Sequence, residues 1–107
     1  MAVNVLDRFE FRSVRVNEAE EVAEIEKICF PPHEVCSKKD MFERVEHAPE
    51  LFLVAVDKET GTIAGFLNGL ATDEEAFRDE FFTDITVHNP EGKNIFLLGL
   101  DVRPEYR

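Results

Sequence analysis

The chain has 107 residues, with 12 basic and 23 acidic side chains, a formal net charge of −11, and 44% hydrophobic residues that include ten phenylalanines. That length suits one domain, residues 1–107, with apolar bulk enough for a core, which excludes whole-chain disorder. The acidic balance, with no run of Lys and Arg to offset it, repels phosphate backbones and anionic headgroups, so neither nucleic acid nor a membrane surface is an expected partner.

Residues 10–16 suit a first strand, with Phe9, Phe11, Val14 and Val16 as apolar positions in irregular phase. Asn17 and Glu20 have the spacing of a capping box and predict a helix over 18–29, with Ala19, Val22, Ile25 and Cys29 as its buried stripe. Glu20, Glu21, Glu24 and Lys27 then face water. Pro31 and Pro32 follow, after which Ser37 and Asp40 repeat the cap spacing for a short helix ending near His47, with Met41, Phe42 and Val45 as its apolar edge. Residues 51–56 and 62–71 are apolar without alternation, and with Gly61 between them they predict an antiparallel hairpin covered on both faces.

Gly65 and Gly69 share one face of the second hairpin strand, which predicts a close neighbour there, a helix or a ligand. Thr72 and Glu75 predict a helical excursion over 73–82 carrying Asp73, Glu74, Glu75, Asp79 and Glu80, either a solvated face or a source of steering for a cationic amine. A turn at residues 89–92 precedes a very hydrophobic strand, 94–102. The order predicts an α/β (α+β) fold, a mixed and largely antiparallel sheet with flanking helices. Nothing later in the chain covers the last strand, so the domain reads as incomplete at its C-terminus.

No stretch of about 18 apolar residues occurs, and residues 1–15 lack the basic-then-apolar order of an export signal. A cytoplasmic protein is expected, with Cys29 and Cys36 as reduced thiols. His47 and His88 are too far apart in sequence to suggest metal ligation, and no acidic stretch has the pattern of a calcium loop.

The C-terminal run Leu100, Asp101, Val102, Arg103, Pro104, Glu105, Tyr106, Arg107 resembles the end of the fourth strand of the GNAT superfamily of acetyl-coenzyme A dependent N-acetyltransferases, in which Leu-x-Val-x-Pro-x-Tyr-Arg leads into a glycine-rich loop. The element order matches the N-terminal half of that family. Cys29, Phe30, Pro31 and Pro32 are similar to the arylalkylamine N-acetyltransferase-like branch. The resemblance implies a GNAT-like acyl-CoA N-acyltransferase fold, truncated at the C-terminus.

It further implies acetyl-CoA as co-substrate, with the backbone of Leu100, Asp101 and Val102 beside the acetyl and pantetheine groups at a bulge. Arg107 would open the loop whose amides cradle the pyrophosphate, although the loop's glycines do not follow within these 107 residues. Gly99 suits the bulge or simply close packing. The histidine pair of the named branch falls at Phe96 and Leu98, and a glutamate of other branches at Asn94, so that proton relay does not carry over. The resemblance then leaves His33 and Glu34, in the loop overhanging the amine site, as catalytic candidates, with an ordinary solvated loop as the alternative. Asp101 could accept from an amine, pair with Arg103 or Arg107, or lie solvated at the strand end.

Two functions are compatible with these residues. The first is transfer of an acetyl group from acetyl-CoA to a primary amine, favouring a small one, with this chain alone an inactive N-terminal portion. The second is a non-catalytic acidic α+β module that associates through its exposed final strand into a homo-oligomer.

Overall fold

The computed structural model describes residues 5–107, and residues 1–4 of the N-terminal segment discussed above lie outside the described residues. A short helix α1 (Val5–Arg8) leads into strand β1 (Phe9–Ser13). Helices α2 (Ala19–Cys29) and α3 (Lys38–His47) follow, then strands β2 (Phe52–Asp57) and β3 (Ile63–Thr72). A single turn of helix α4 (Glu80–Thr83) precedes strand β4 (Asn94–Val102). The sheet runs β1-β2-β3-β4 with every neighbouring pair antiparallel, so the described strands contain no parallel pair.

The first strand ends earlier than its apolar residues suggest, because Glu18 turns the chain. Its carboxylate accepts from the Arg15 amide at 2.8 Å and takes both Arg12 nitrogens at 2.8 and 2.6 Å. This places a 3-10 turn at Val16–Glu18 where the sequence suggested an Asn17 cap, and leaves Val16 exposed. The stripe of α2 packs as expected at Ala19, Val22 and Ile25. Glu21 does not simply face water: it accepts from the Ile63 amide at 2.9 Å and pairs with Arg103. The second cap forms as read, with the Asp40 amide donating to Ser37 Oγ at 3.1 Å. Met41 and Val45 are fully buried, whereas Phe42 is partly exposed.

Both helices cover one face of the sheet. Register places Phe52 beside Asn68 and Gly99, and Val54 beside Phe66 and Asp101, on that face. The core joins Val22 and Ile25 of α2 and Met41 and Val45 of α3 to Phe52, Val54, Ile63 and Phe66. The opposite face is open among the described residues. Phe11, Leu53 and Leu100 are exposed there at 47%, 45% and 67%, bordering a shallow apolar depression of about 270 Å³. The expected cover on both faces therefore fails for β2, whose Leu53 meets solvent, while β3, between β2 and β4, is buried along nearly its whole length.

Gly61 turns the hairpin at φ 76°. The neighbour predicted at Gly65 and Gly69 is the backbone of β4, rather than a helix or ligand, since a Cβ on either would fall against the carbonyl oxygen of Asp101 or Phe96. The excursion after β3 is not a long helix. Thr72 Oγ1 accepts from the Glu74 amide, closing a local turn instead of a cap, and Phe77 folds onto Phe81, Phe82 and Phe96 at ring separations of 5.1 to 5.7 Å. Only Glu80–Thr83 stays helical. Among the described residues no helix is long and apolar enough to cross a membrane.

Candidate functional site

The last strand is bulged, but not at Leu100, Asp101 and Val102 as expected, since these pair in regular register with Leu67, Phe66 and Gly65. Asn68 pairs with Gly99 and Gly69 with Leu97, so Leu98 is an extra residue that breaks the ladder. Such a bulge re-aims side chains and leaves a peptide group unmatched. Leu98 and Gly99 together form one wall of a cavity of about 390 Å³, whose other walls come from α2, the connection to α3, α3 itself, and Phe82 and Thr83.

The polar lining is mostly acidic. Glu26 and Glu34 reach the cavity from α2 and its following turn, and Asp40 and Arg44 from α3. Glu26 sits on the buried stripe of α2 and accepts from the Cys36 amide at 2.9 Å. Arg44, 5% exposed, donates to Asn68 Oδ1 at 3.1 Å and to the Phe82 carbonyl at 2.6 Å, tying α3 to β3 and to α4. Burial pushes the Cys36 thiol up to about 11, so it is not a thiolate nucleophile near neutrality. Both cysteines are free thiols.

Asp101 overturns the expectation of strand-end solvation. It is buried, faces the helices, and has no N–H or hydroxyl donor on either oxygen, only the Glu26 carboxyl beside it. Arg103 instead donates to the Ile63 carbonyl and pairs with Glu21, and Arg107 Nε donates to the Val102 carbonyl at 3.0 Å. Burial first, and then the nearby Glu26 carboxyl, push Asp101 up to about 8, with Arg44 opposing.

His33 and Glu34 stand on the turn after α2, with His33 Nε2 3.7 Å from Glu34 Oε1 and the His33 side chain 77% exposed. Glu34 lines the cavity and His33 does not. Asn94 donates to the Glu74 carbonyl, and Phe96 packs on Phe77 and Phe81. The acids of 73–80 are exposed, with Glu74 bound to Arg78 at 2.8 and 2.9 Å.

The end of β4 is fixed by its aromatic residue. The Tyr106 hydroxyl donates to buried Asp57 at 2.7 Å, which holds that carboxyl below its ordinary value. The Tyr106 ring also meets Phe9 edge-on at 5.8 Å. A 3-10 turn at Pro104–Tyr106 then sets Arg107 at the strand's tip. Leu100 lies on the strand that ends the described sheet, where outward peptide groups can meet an extended ligand with amides of its own, whereas the Val102 carbonyl accepts from Arg107 Nε and from Cys29 Sγ at 3.4 Å. Among the described residues, no cluster of three metal-binding side chains forms.

An antiparallel sheet with two helices on one face and a bulged terminal strand beside a cavity defines a GNAT-like fold. Two solved structures share it. The GphF GNAT-like decarboxylase in complex with isobutyryl-CoA superposes with a TM-score of 0.78 at 24% identity, covering 92% of this chain and 50% of its own. The loading GNATL domain of CurA from Lyngbya majuscula gives 0.80 at 14% identity, with the same coverage of 92% and 50%. A curated relative, the probable hydrolase YhcX of Bacillus subtilis (strain 168), is 29% identical over 113 residues. The chain thus spans half the length of these structures and 22% of that relative, of which it matches 95% of itself. No family model matches it.

Proposed function

We propose that these residues form the acceptor side of an N-acetyltransferase that moves an acetyl group from acetyl-CoA to a primary amine, a small one of the arylalkylamine kind. The observation that carries this reading is the carboxylate-lined cavity opening against the bulge at Leu98 and Gly99. A cavity with Glu26, Glu34 and Asp40 on its walls attracts a cationic amine, since a cleft of one sign concentrates its counter-ion. The isobutyryl-CoA held by GphF supports an acyl-CoA as the second ligand. The edge backbone at Leu100, Asp101 and Val102 would pair with its extended arm, and Arg107 would meet its phosphates.

When bound, acetyl-CoA supplies an acyl group activated as a thioester. The protein must then remove a proton from the amine and lead it to water. Glu34 at the cavity mouth, with His33 beside it, provides the exit to solvent. A cytoplasmic location is part of this reading, and the free thiols of Cys29 and Cys36 suit it.

Thiol release from acetyl-CoA in the presence of phenethylamine, catalysed by the protein that carries this chain, tests the reading. Glu34→Ala and His33→Ala should each lower kcat several-fold while the KM for acetyl-CoA changes little. Turnover unaffected by either change removes the loop from proton transfer, and no thiol release with any primary amine removes the acetyltransferase reading.

A second reading is favoured by the exposure of Ile95, Leu97 and Leu100, at 59%, 64% and 67%, on the terminal strand. We propose that the 107-residue chain by itself associates through β4 into a dimer or larger species, covering that edge and its apolar residues. Light scattering at low micromolar concentration should report at least twice the chain's 12.3 kDa. A dispersed monomer contradicts it. Because acetyl-CoA and a second copy would compete for the same edge, the coenzyme should shift any dimer towards monomer.

A further inference from the structure

Asp101 lies under the floor of the cavity. It is 1% exposed, no N–H or hydroxyl donor reaches either of its carboxyl oxygens, the Glu26 carboxyl is its hydrogen-bonding neighbour, and the adjacent Asn68 Nδ2 is without a partner. The Asp101 and Asn68 groups converge beneath one glycine: a Cβ on Gly99 would stand 3.5 Å from Asp101 Oδ1 and 3.5 Å from Asn68 Nδ2. Gly99 is itself part of the cavity wall and puts no side chain between the cavity and the carboxyl.

The charges around Asp101 restrict its state. Glu26 faces it from α2 and Arg44 from α3, with the Cys36 thiol between these helices and Asp40 and Glu34 farther out on the wall. Arg44 balances one carboxylate. A second carboxylate in the same buried set lacks a counter-charge and stays protonated, since an unpaired buried charge is costly. A cation entering the cavity would supply that missing charge and release the proton.

We propose that Asp101, sharing one proton with Glu26 beneath Gly99, is the proton acceptor for a primary ammonium group bound in this cavity. The identity of the ligand rests on the amine reading above. On entry the ammonium exchanges with the shared proton, which leaves to water past Glu34, and Glu26, Asp101, Arg44 and the ammonium together are neutral. An N–H bond of R–NH3+ then breaks, its electron pair stays on nitrogen as the lone pair, and the proton forms an O–H bond on the carboxyl pair. The products are R–NH2 and one protonated carboxyl, so the buried set is neutral before and after the step. Asp101, held by the Glu26 carboxyl alone, and the unpartnered Asn68 Nδ2 are in this account the unfilled half of a binding site, which explains why the fold tolerates them.

Carbon-13 NMR of the protein labelled at Asp and Glu carboxyls, titrated with and without propylammonium chloride, tests this directly. Potassium chloride at equal ionic strength is the control. The Asp101 resonance should titrate near 8, and propylammonium should lower that midpoint by at least about one unit, a tenfold effect, while potassium should not. Glu26→Gln should abolish the response to propylammonium, and Asp101→Asn should remove the high titration step. An ordinary aspartate midpoint, or a raised one that propylammonium leaves in place, overturns the proposal from the unmodified protein alone. The two readings fail separately: acetyl transfer with an ordinary Asp101 titration refutes the carboxyl pair, whereas the propylammonium-dependent shift without acetyl transfer upholds the pair and refutes the acetyltransferase.

Discussion

Replacing Arg44 by methionine should destabilise the protein by about 3–5 kcal/mol, the cost of stripping the cation from a buried set that still holds carboxyl groups. Arg44 is buried and makes its two bonds across elements distant in sequence, to Asn68 Oδ1 on β3 and to the Phe82 carbonyl after α4. Methionine fills similar volume but satisfies neither oxygen, and Glu26 and Asp101 then have no cation near them. Lysine keeps the charge but cannot span both acceptors with a planar fork, so Arg44→Lys should fall between the two. Urea unfolding at neutral pH measures all three proteins. A loss below about 1 kcal/mol, the range of an exposed ion pair, would mean that the cluster is hydrated and does not join α3 to the sheet. The cost of Arg44→Met should shrink in acid, because protonated carboxyls no longer need the guanidinium.

The second large effect is a stability that falls as pH rises through neutrality. Asp101 has a raised folded-state pKa, so between the unfolded value of about 3.9 and about 8 the folded protein holds a proton that the unfolded chain has lost. Stability then falls with pH, because the folded state binds more protons. The contribution of Asp101 is complete below the ordinary aspartate range and is lost as pH climbs to its folded value, with a slope of at most about 1.4 kcal/mol per unit. Four acids, Glu18, Asp57, Glu74 and Asp84, act in the opposite direction at lower pH, the last two held down by Arg78 and Thr86. Hydrogen bonds from Tyr106 to Asp57 and from Arg12 to Glu18 depress the first two, so the contributions of all these acids disappear as the solution is acidified. The maximum should therefore lie on the acid side of neutrality, at about pH 5. Urea midpoints at pH 5 and pH 8 should differ clearly in the unmodified protein and much less in Asp101→Asn, which should be the more stable of the two at pH 8. Equal midpoints in the unmodified protein would show that Asp101 is ionised in the fold.

Local signals were legible in the sequence because the interactions behind them are local. Ser37 caps Asp40 three residues on, Gly61 adopts the positive φ of its turn, and the bounds of β4 coincide with the hydrophobic run from Asn94 to Val102. Where the next turn offered competing partners the reading failed. Glu18 engages Arg12 and pre-empts the Asn17 cap, and Phe77 joins an aromatic cluster in place of a helix over 73–82. The candidate site was only partly legible. Gly99 and Asp101 stood out on the last strand, but Glu26, Arg44 and Asn68 come from three other elements and meet only when these pack. A weak signal was present all the same. Glu26 lies four residues after Val22, Arg44 three after Met41, and Asn68 between Phe66 and Leu70, so each is a polar residue on an otherwise apolar stripe.

The central claim is that β4 and its bulge meet the coenzyme while the helical side receives the amine. Amide NMR of the 107-residue chain, titrated with acetyl-CoA, tests it most directly. Without the glycines of the phosphate loop, binding should be weak, in the millimolar range of about −4 kcal/mol, with shifts concentrated at residues 98–102 and at Arg107. Micromolar binding, or shifts confined to the outer surfaces of α2 and α3 with the strand unmoved, would contradict the account.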